Sequence, residues 1–448
     1  MSRSQTRARA FARGLTISLL ASLAVFNAAA APAPADVDAL LKAAEIGDLQ
    51  PLQAAGPTIE TPGPRALVDA RLHIARFDEK GAARQLARYF ASGDEDSARQ
   101  AVAWLILADI AFAQGDYARA AKGYAEWGAR LAGDDPKRNE AAQDAAIARA
   151  LTGAPRQTIL RRHPVPVAMP RDRAGLLAAD AAINGHAQTV IVDTGADLSV
   201  LSISAARRLG VRIRKGASSI HSGTREAVPV RLGLAARVDF AGFRLAHVVF
   251  LVLEDANLAF PQSNGVYQID AILGIPVLRA MGRVQFTGDG RFAPEPAFVA
   301  PAEGVADLRV IGSHLFVTAR LGGIETPLHF DTGATDTTLT AAFAARHPEV
   351  LKGLPLKESQ TGGAGGGRTE QVAVWSAVPV EIGGRSMVLP SLEISTRETP
   401  GSPPRWIAQL GGDILDAFCG FTLDFRRADI ELGAPRASGT CDPKRQAD

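Results

Sequence analysis

The sequence predicts a multidomain chain: an N-terminal all-α helical-repeat region, then a mainly-β bilobal unit built from two tandem copies of one domain. Three observations predict it. The tetrapeptide Asp-Thr-Gly-Ala occurs at Asp193–Ala196 and again at Asp331–Ala334, an offset of 138 (331 − 193 = 138). Near the front, Gly47, Gly81 and Gly115 recur with a constant period of 34 (81 − 47 = 34; 115 − 81 = 34). The front of the chain is rich in Ala, Leu and Arg and poor in β-branched residues, whereas short β-type runs dominate behind it.

Residues 1–31 read as a secretory signal peptide. Arg7, Arg9 and Arg13 form a basic start, Leu15–Phe26 an apolar core, and Ala28-Ala29-Ala30-Ala31 a small-residue cleavage site. That core is short of the ~20 residues a membrane span needs. The mature protein is expected to be exported, into a bacterial periplasm or beyond, with no stable membrane span after cleavage.

Residues 35–155 are expected to form the helical domain. A period of 34 is that of tetratricopeptide repeats, and Gly47-Asp48-Leu49 and Gly115-Asp116-Tyr117 give the same turn-then-helix cue. Trp104, Leu107, Ala108, Ala120 and Tyr124 fall at repeat positions, while Ala111 and Trp127 depart from them. Such arrays present a concave surface to a protein partner; a plain helical bundle packed on the rest of the chain fits the pattern equally. Residues 156–175, rich in Pro and Arg, read as a linker.

Two copies of a domain then occupy 176–300 and 301–441. Under the same offset of 138, Leu177 falls on Leu315, Ile183 on Leu321, and the turn pair Asn184-Gly185 on Gly322-Gly323. Both pairs are two-residue hairpin turns, because each turn residue needs positive φ. Each Asp-Thr-Gly follows an apolar run, Thr189–Val192 or Pro327–Phe330, and each copy later carries an apolar-Gly segment. These are Leu273-Gly274 and Leu410-Gly411, at nearly equal separations from their aspartates (274 − 193 = 81; 411 − 331 = 80). A lone Asp-Thr-Gly is no more than a turn signal, since Asp caps turns and Gly supplies positive φ. Two copies in matching surroundings bring two carboxylates together.

The stretch from about Leu176 to Leu432 resembles two fused retropepsin-like aspartic protease domains. The resemblance implies a bilobal acid-protease fold with Asp193 and Asp331 as the catalytic pair. It implies support from Thr194, Gly195, Ala196, Thr332, Gly333 and Ala334, with Leu273, Gly274, Leu410 and Gly411 packed beneath the catalytic loops. A glycine-rich flap is expected at Gly362, Gly363, Ala364 and Gly365. The corresponding stretch of the first lobe, His221–Thr224, matches poorly. Two carboxylates about 3 Å apart share one proton, which provides general acid and base in one site. Asp197 and Asp336 have no counterpart in the other lobe and read as surface or capping residues; Asp413 reads as a helix N-cap.

The expected function is therefore an exported aspartic endopeptidase acting on a peptide or protein substrate, as a monomer whose lobes mimic a dimer. The helical region would recruit a partner or substrate. Two rivals stand beside it: a peptide-binding adaptor with a protease-like fold, and a protease active only as an intermolecular dimer. Positive and negative side chains balance, 49 against 47, which gives no nucleic-acid footprint. The eight histidines show no metal-ligand spacing, so no metal and no cofactor are expected. Cys419 and Cys441 leave two states open: one disulfide in an oxidising compartment, or a buried Cys419 with an exposed free thiol at Cys441.

Overall fold

The computed structural model describes residues 36–448 except 215–217, 221–227, 263–264, 299–303, 364–365, 398–405, 437–440 and 442–448. Among the described residues seven α-helices come first: α1 (Val37–Ala44), α2 (Gln50–Ala55), α3 (Pro62–Ala75), α4 (Glu79–Ala91), α5 (Ser97–Ala113), α6 (Tyr117–Arg130) and α7 (Lys137–Leu151). Four begin at an aspartate whose carboxylate accepts orphan backbone N–H groups: Asp36 before α1, Asp78 before α4, Asp96 before α5 and Asp116 before α6. Neighbouring helices α3 and α4, α5 and α6, and α6 and α7 pack side by side. At Gly123 a Cβ would come 2.8 Å from the Ala108 Cβ, so α6 lies close against α5 because both contact residues are small.

The glycine period hides two different jobs. Gly47 (φ 93°) and Gly115 (φ 75°) sit in left-handed turns after α1 and α5. Gly81 lies inside the first turn of α4, where its N–H donates to Asp78 at 2.8 Å. Of the repeat positions, Ala108, Ala120 and Tyr124 are buried, and so are the non-matching Ala111 and Trp127.

The remainder is mainly β, in a nine-stranded and a thirteen-stranded sheet with a separate two-stranded hairpin. In the first lobe, strands Ala178–Ile183 and His186–Val192 form a hairpin turning at Asn184 (φ 53°) and Gly185 (φ 89°). In the second, His314–Leu321 and Ile324–Phe330 turn at Gly322 (φ 55°) and Gly323 (φ 87°). Positive φ at both turn residues matches the twist of the flanking strands. Strand Ala271–Leu273 then inserts between His186–Val192, in parallel, and Ser199–Ser202, antiparallel. Strand Ala408–Leu410 inserts in the same way between Ile324–Phe330 and Thr338–Leu339. The lobes are tied where Arg283–Thr287 of the first pairs with Gly420–Asp424 of the second.

The stretch read as a linker is not free. Thr158–Arg162 adds an edge strand beside Phe243–Leu253 in the first lobe's sheet, and Val167–Ala168 pairs with Arg291–Pro294 in the other sheet. Cys419 and Cys441 are joined in a disulfide that ties the C-terminal segment to the end of the second lobe.

One polar group in the helical domain carries a measurable signature. Asp109 on α5 accepts a hydrogen bond from the Tyr124 hydroxyl at 3.0 Å, and burial pushes its pKa up to about 7. A carboxyl whose folded-state pKa is raised stabilises the fold fully below its unfolded value near ~4 and loses that contribution as pH rises. Asp109→Asn keeps an acceptor for Tyr124 and removes the titration. Its unfolding free energy should gain on that of the parent progressively between pH ~4 and ~7, by about 2–4 kcal/mol at the upper end. Urea unfolding across this range measures the gap; parallel curves would contradict it.

Candidate active site

Each central hairpin delivers its second strand directly into Asp-Thr-Gly, and the two loops meet across the lobe boundary. The N–H of Thr194 donates to Thr332 Oγ1 at 3.0 Å, and the N–H of Thr332 donates to Thr194 Oγ1 at 2.9 Å. Each hydroxyl in turn donates a hydrogen bond to the carbonyl preceding the other lobe's aspartate: Thr194 to Phe330 O and Thr332 to Val192 O, both at 3.0 Å. Both threonines are buried. Every donor in this ring of four bonds finds its acceptor in the opposite lobe.

The glycines explain themselves by proximity. A Cβ on Gly195 would stand 2.5 Å from the Asp331 carboxyl, and one on Gly333 2.6 Å from that of Asp193. Only a residue without a side chain lets each loop lie against the opposing carboxylate. Each aspartate also accepts its own loop's glycine N–H, Gly195 to Asp193 Oδ1 at 2.7 Å and Gly333 to Asp331 Oδ1 at 2.8 Å. The carboxyls are hydrogen-bonded to each other. Burial raises both above the ordinary carboxylate range, Asp331 the further of the two, because with Asp193 ionised first its charge and its hydrogen bond oppose ionisation of Asp331. The pair titrates as a unit that keeps one proton where isolated carboxyls would lose theirs.

The apolar-Gly segments underlie the loops in matched fashion. Asp193 N–H donates to Leu273 O and Asp331 N–H to Leu410 O, each at 3.1 Å. Ile275 N–H then reaches Ala196 O at 3.0 Å, and Gly412 N–H reaches Ala334 O at 2.9 Å. Gly274 and Gly411 press against the Ala196–Leu198 and Asp336 backbones, leaving no room for a side chain. Asp413 is not an N-cap: it sits in the first turn of its short helix and accepts from Thr337 N at 2.9 Å and Thr337 Oγ1 at 2.5 Å. Asp336 takes the neighbouring Thr335 hydroxyl.

The glycine-rich stretch forms the end of a long hairpin, with Gly362 paired to Gly367 and Gly363 to Gly366. Ala364 and Gly365 lie outside the described residues, as does His221–Thr224 of the first lobe. Phe260, on the separate first-lobe hairpin, stands beside Gly362, so this lobe reaches the other lobe's glycine-rich hairpin.

Several neighbours of the pair were not anticipated. Gln409 Nε2 donates to Asp331 Oδ2 at 2.9 Å. Asp197, expected as a surface or capping residue, stands 3.1 Å from His314 Nδ1, bridging the first Asp-Thr-Gly loop to the second lobe. His329 stacks on Trp406 with ring centroids 4.1 Å apart. A signal existed for each: against the first copy, His314 falls on Leu176, His329 on Ile191 and Gln409 on Ile272, polar for apolar every time.

The helical domain also borders the site. Ile191 and Ile272, beside Asp193, belong to one buried apolar cluster with Tyr117, Ile147 and Leu151 of the helices. Gln143 on α7 donates to Ser219 on strand Ser218–Ile220 of the first lobe at 3.1 Å, and Arg214 Nε donates to Ala150 O at 2.7 Å. On the other side, Phe316 and Trp406 join the cluster around α1–α5. Among the described residues no group of three or more His, Cys, Asp or Glu could hold a metal ion, and no helix is long and apolar enough to cross a membrane.

A helical region followed by two sheets that present paired Asp-Thr-Gly loops is consistent with a bilobal aspartic protease fold. Residues 179–277 match the model of a family described as aspartyl protease. Comparison with curated proteins gave no match.

The threonine ring has a testable cost. Thr332→Val keeps the shape but leaves the Thr194 N–H buried without its acceptor and removes the bond to Val192 O. A buried unsatisfied donor plus a lost bond should lower unfolding free energy by about 2–4 kcal/mol. Thr332→Ser should recover most of it. Urea midpoints near those of the parent for both variants would show that the ring does not hold the lobes together.

Proposed function

We propose that this protein is an exported aspartic endopeptidase whose two lobes are tandem retropepsin-like copies, near 176–300 and 301–441, each supplying one catalytic aspartate. The observation that carries the reading is the interlocked pair of Asp-Thr-Gly loops, with the Asp193 and Asp331 carboxyls sharing a hydrogen bond inside one chain. Closure within one chain favours the intramolecular pair over assembly between chains.

In the reaction, a water between the carboxyls attacks the scissile carbonyl carbon of an extended peptide. The ionised aspartate takes the water's proton while the protonated one donates to the carbonyl oxygen, giving a neutral gem-diol. Collapse reverses the roles: one carboxyl delivers a proton to the leaving nitrogen, the other receives a hydroxyl proton, and the C–N bond breaks. No covalent intermediate forms. Buried surroundings strengthen both hydrogen bonds to the transition state. The glycine-rich hairpin serves as the flap that closes over the peptide, and backbone pairing holds the peptide as an added strand.

For the helical domain we propose a role close to the chemistry. Through Gln143, Arg214 and the cluster around Leu151, it buttresses the first lobe on the side that carries Asp193. Among the roles open to a repeat array, that placement supports control of substrate access as well as recruitment of a partner. The signal-like start of the chain supports export, which permits the Cys419–Cys441 disulfide.

Purified mature protein, compared with Asp193→Asn and Asp331→Asn on a mixed peptide library from acid to neutral pH, tests the reading. Cleavage by the parent should fall at least ~10³-fold in either variant, because losing one member disables both proton transfers. Peptide binding without turnover by the folded parent would establish the adaptor reading instead.

A further inference from the structure

The two lobes place equivalent backbone around the aspartates but not equivalent side chains. Residues two apart on a strand share a face, so Ile191 accompanies Asp193 and His329 accompanies Asp331. Ile191 is paired in register with Ile272, and His329 with Gln409. Around Asp193 this face is therefore apolar. Around Asp331 it carries an amide, and that amide donates to Asp331 Oδ2 at 2.9 Å while Gly333 N–H serves Oδ1.

We propose that Gln409 is a positioning residue that breaks the symmetry of the pair, holding Asp331 as the ionised base and leaving the shared proton on Asp193, the acid. The inference rests on the protease reading for its chemistry. Mutual repulsion cannot choose between the two carboxyls, since it opposes ionisation of whichever loses its proton second; the larger rise at Asp331 expresses that order, with Asp193 taken first, and no difference in surroundings. Donors can choose, because a hydrogen bond to a carboxylate favours its charged form. Both loops supply a glycine N–H, and the strand beside Asp331 adds one donor that Ile272 cannot offer. Other ionisable groups facing this region are Asp197, His314 and His329. They are common to parent and variant, so they cancel in a comparison that changes Gln409 alone.

Gln409→Met keeps the length of the side chain and removes the donor. With a peptide that the parent cleaves, the acid limb of the kcat/KM profile should move up by about one pH unit, as expected for losing a charged hydrogen bond of about 1.5 kcal/mol. KM should stay within about twofold at the plateau. A limb at the parent's pH overturns the assignment, whether or not kcat falls, because a merely structural role would lower the plateau and leave the limb in place. A second readout needs no turnover. In a double-mutant cycle of urea unfolding, Gln409→Met should couple to Asp331→Asn more strongly than to Asp193→Asn. That coupling should exist above the acid limb and vanish below it, since a donor that depresses a carboxyl's folded-state pKa stabilises only the ionised form. Equal coupling to both aspartates, or coupling that ignores pH, overturns the assignment. A parent that binds but never cleaves peptides would sink the protease reading while the cycle still decides which carboxyl Gln409 serves.

Discussion

Two half-buried carboxyl groups standing side by side oppose each other's ionisation, and the exchange of hydrogen bonds between Thr194 and Thr332 is what holds them there. Removing water from a charge costs several kcal/mol unless donors replace it. Glycine N–H groups answer at one oxygen of each carboxyl, and a proton kept by the pair removes one of the two charges. That arrangement requires loops from two lobes to keep a fixed distance. The threonine ring enforces it because each hydroxyl both accepts and donates across the boundary, so one lobe cannot shift without breaking bonds in the other. The apolar-Gly strands then fix each loop from below, and the paired strands Arg283–Thr287 and Gly420–Asp424 fix the lobes to each other.

Much of this was legible in the chain. Asn184-Gly185 and Gly322-Gly323 announced their hairpins because only such residues accept positive φ twice running. The glycines of both Asp-Thr-Gly copies marked the loops, but the opposing carboxylate that leaves no room for a side chain there became visible only in the fold. Other parts were hidden for physical reasons. Thr158–Arg162 is an edge strand with little burial, so it shows no apolar alternation and its Pro- and Arg-rich surroundings disguise it. Asp197 looked like a surface charge because its neighbour, His314, comes from the other lobe and is far from it in the chain. Gly81 kept the period of Gly47 and Gly115 yet serves a helix rather than a turn, which periodicity alone cannot distinguish.

The departures from symmetry carry as much information as the symmetry. Two matched loops have equal backbones, and equal backbones alone would make the two carboxyls interchangeable. His314, His329, Trp406 and Gln409 all stand on the second lobe, where the first has Leu or Ile at the aligned histidine and glutamine positions. In sequence, the glycine-rich run at 362–367 has only a poor match in the first lobe, at His221–Thr224. Polarity has accumulated around Asp331, and apolar packing with the helices has accumulated around Asp193.

The former linker gives the molecule a different kind of unity. Because Thr158–Arg162 is hydrogen-bonded into one sheet and Val167–Ala168 into the other, the helices are not a cassette hung on a tether. Trimming the chain at the helix–strand junction would uncover the apolar side chains of Val228, Val230, Leu232 and Leu234 that now share a cluster with Tyr117, Ile147 and Leu151. A large exposed apolar patch of this kind invites aggregation. Evolution could therefore exchange the helical region for another domain only by rebuilding the face it covers, which binds the inheritance of the two parts together.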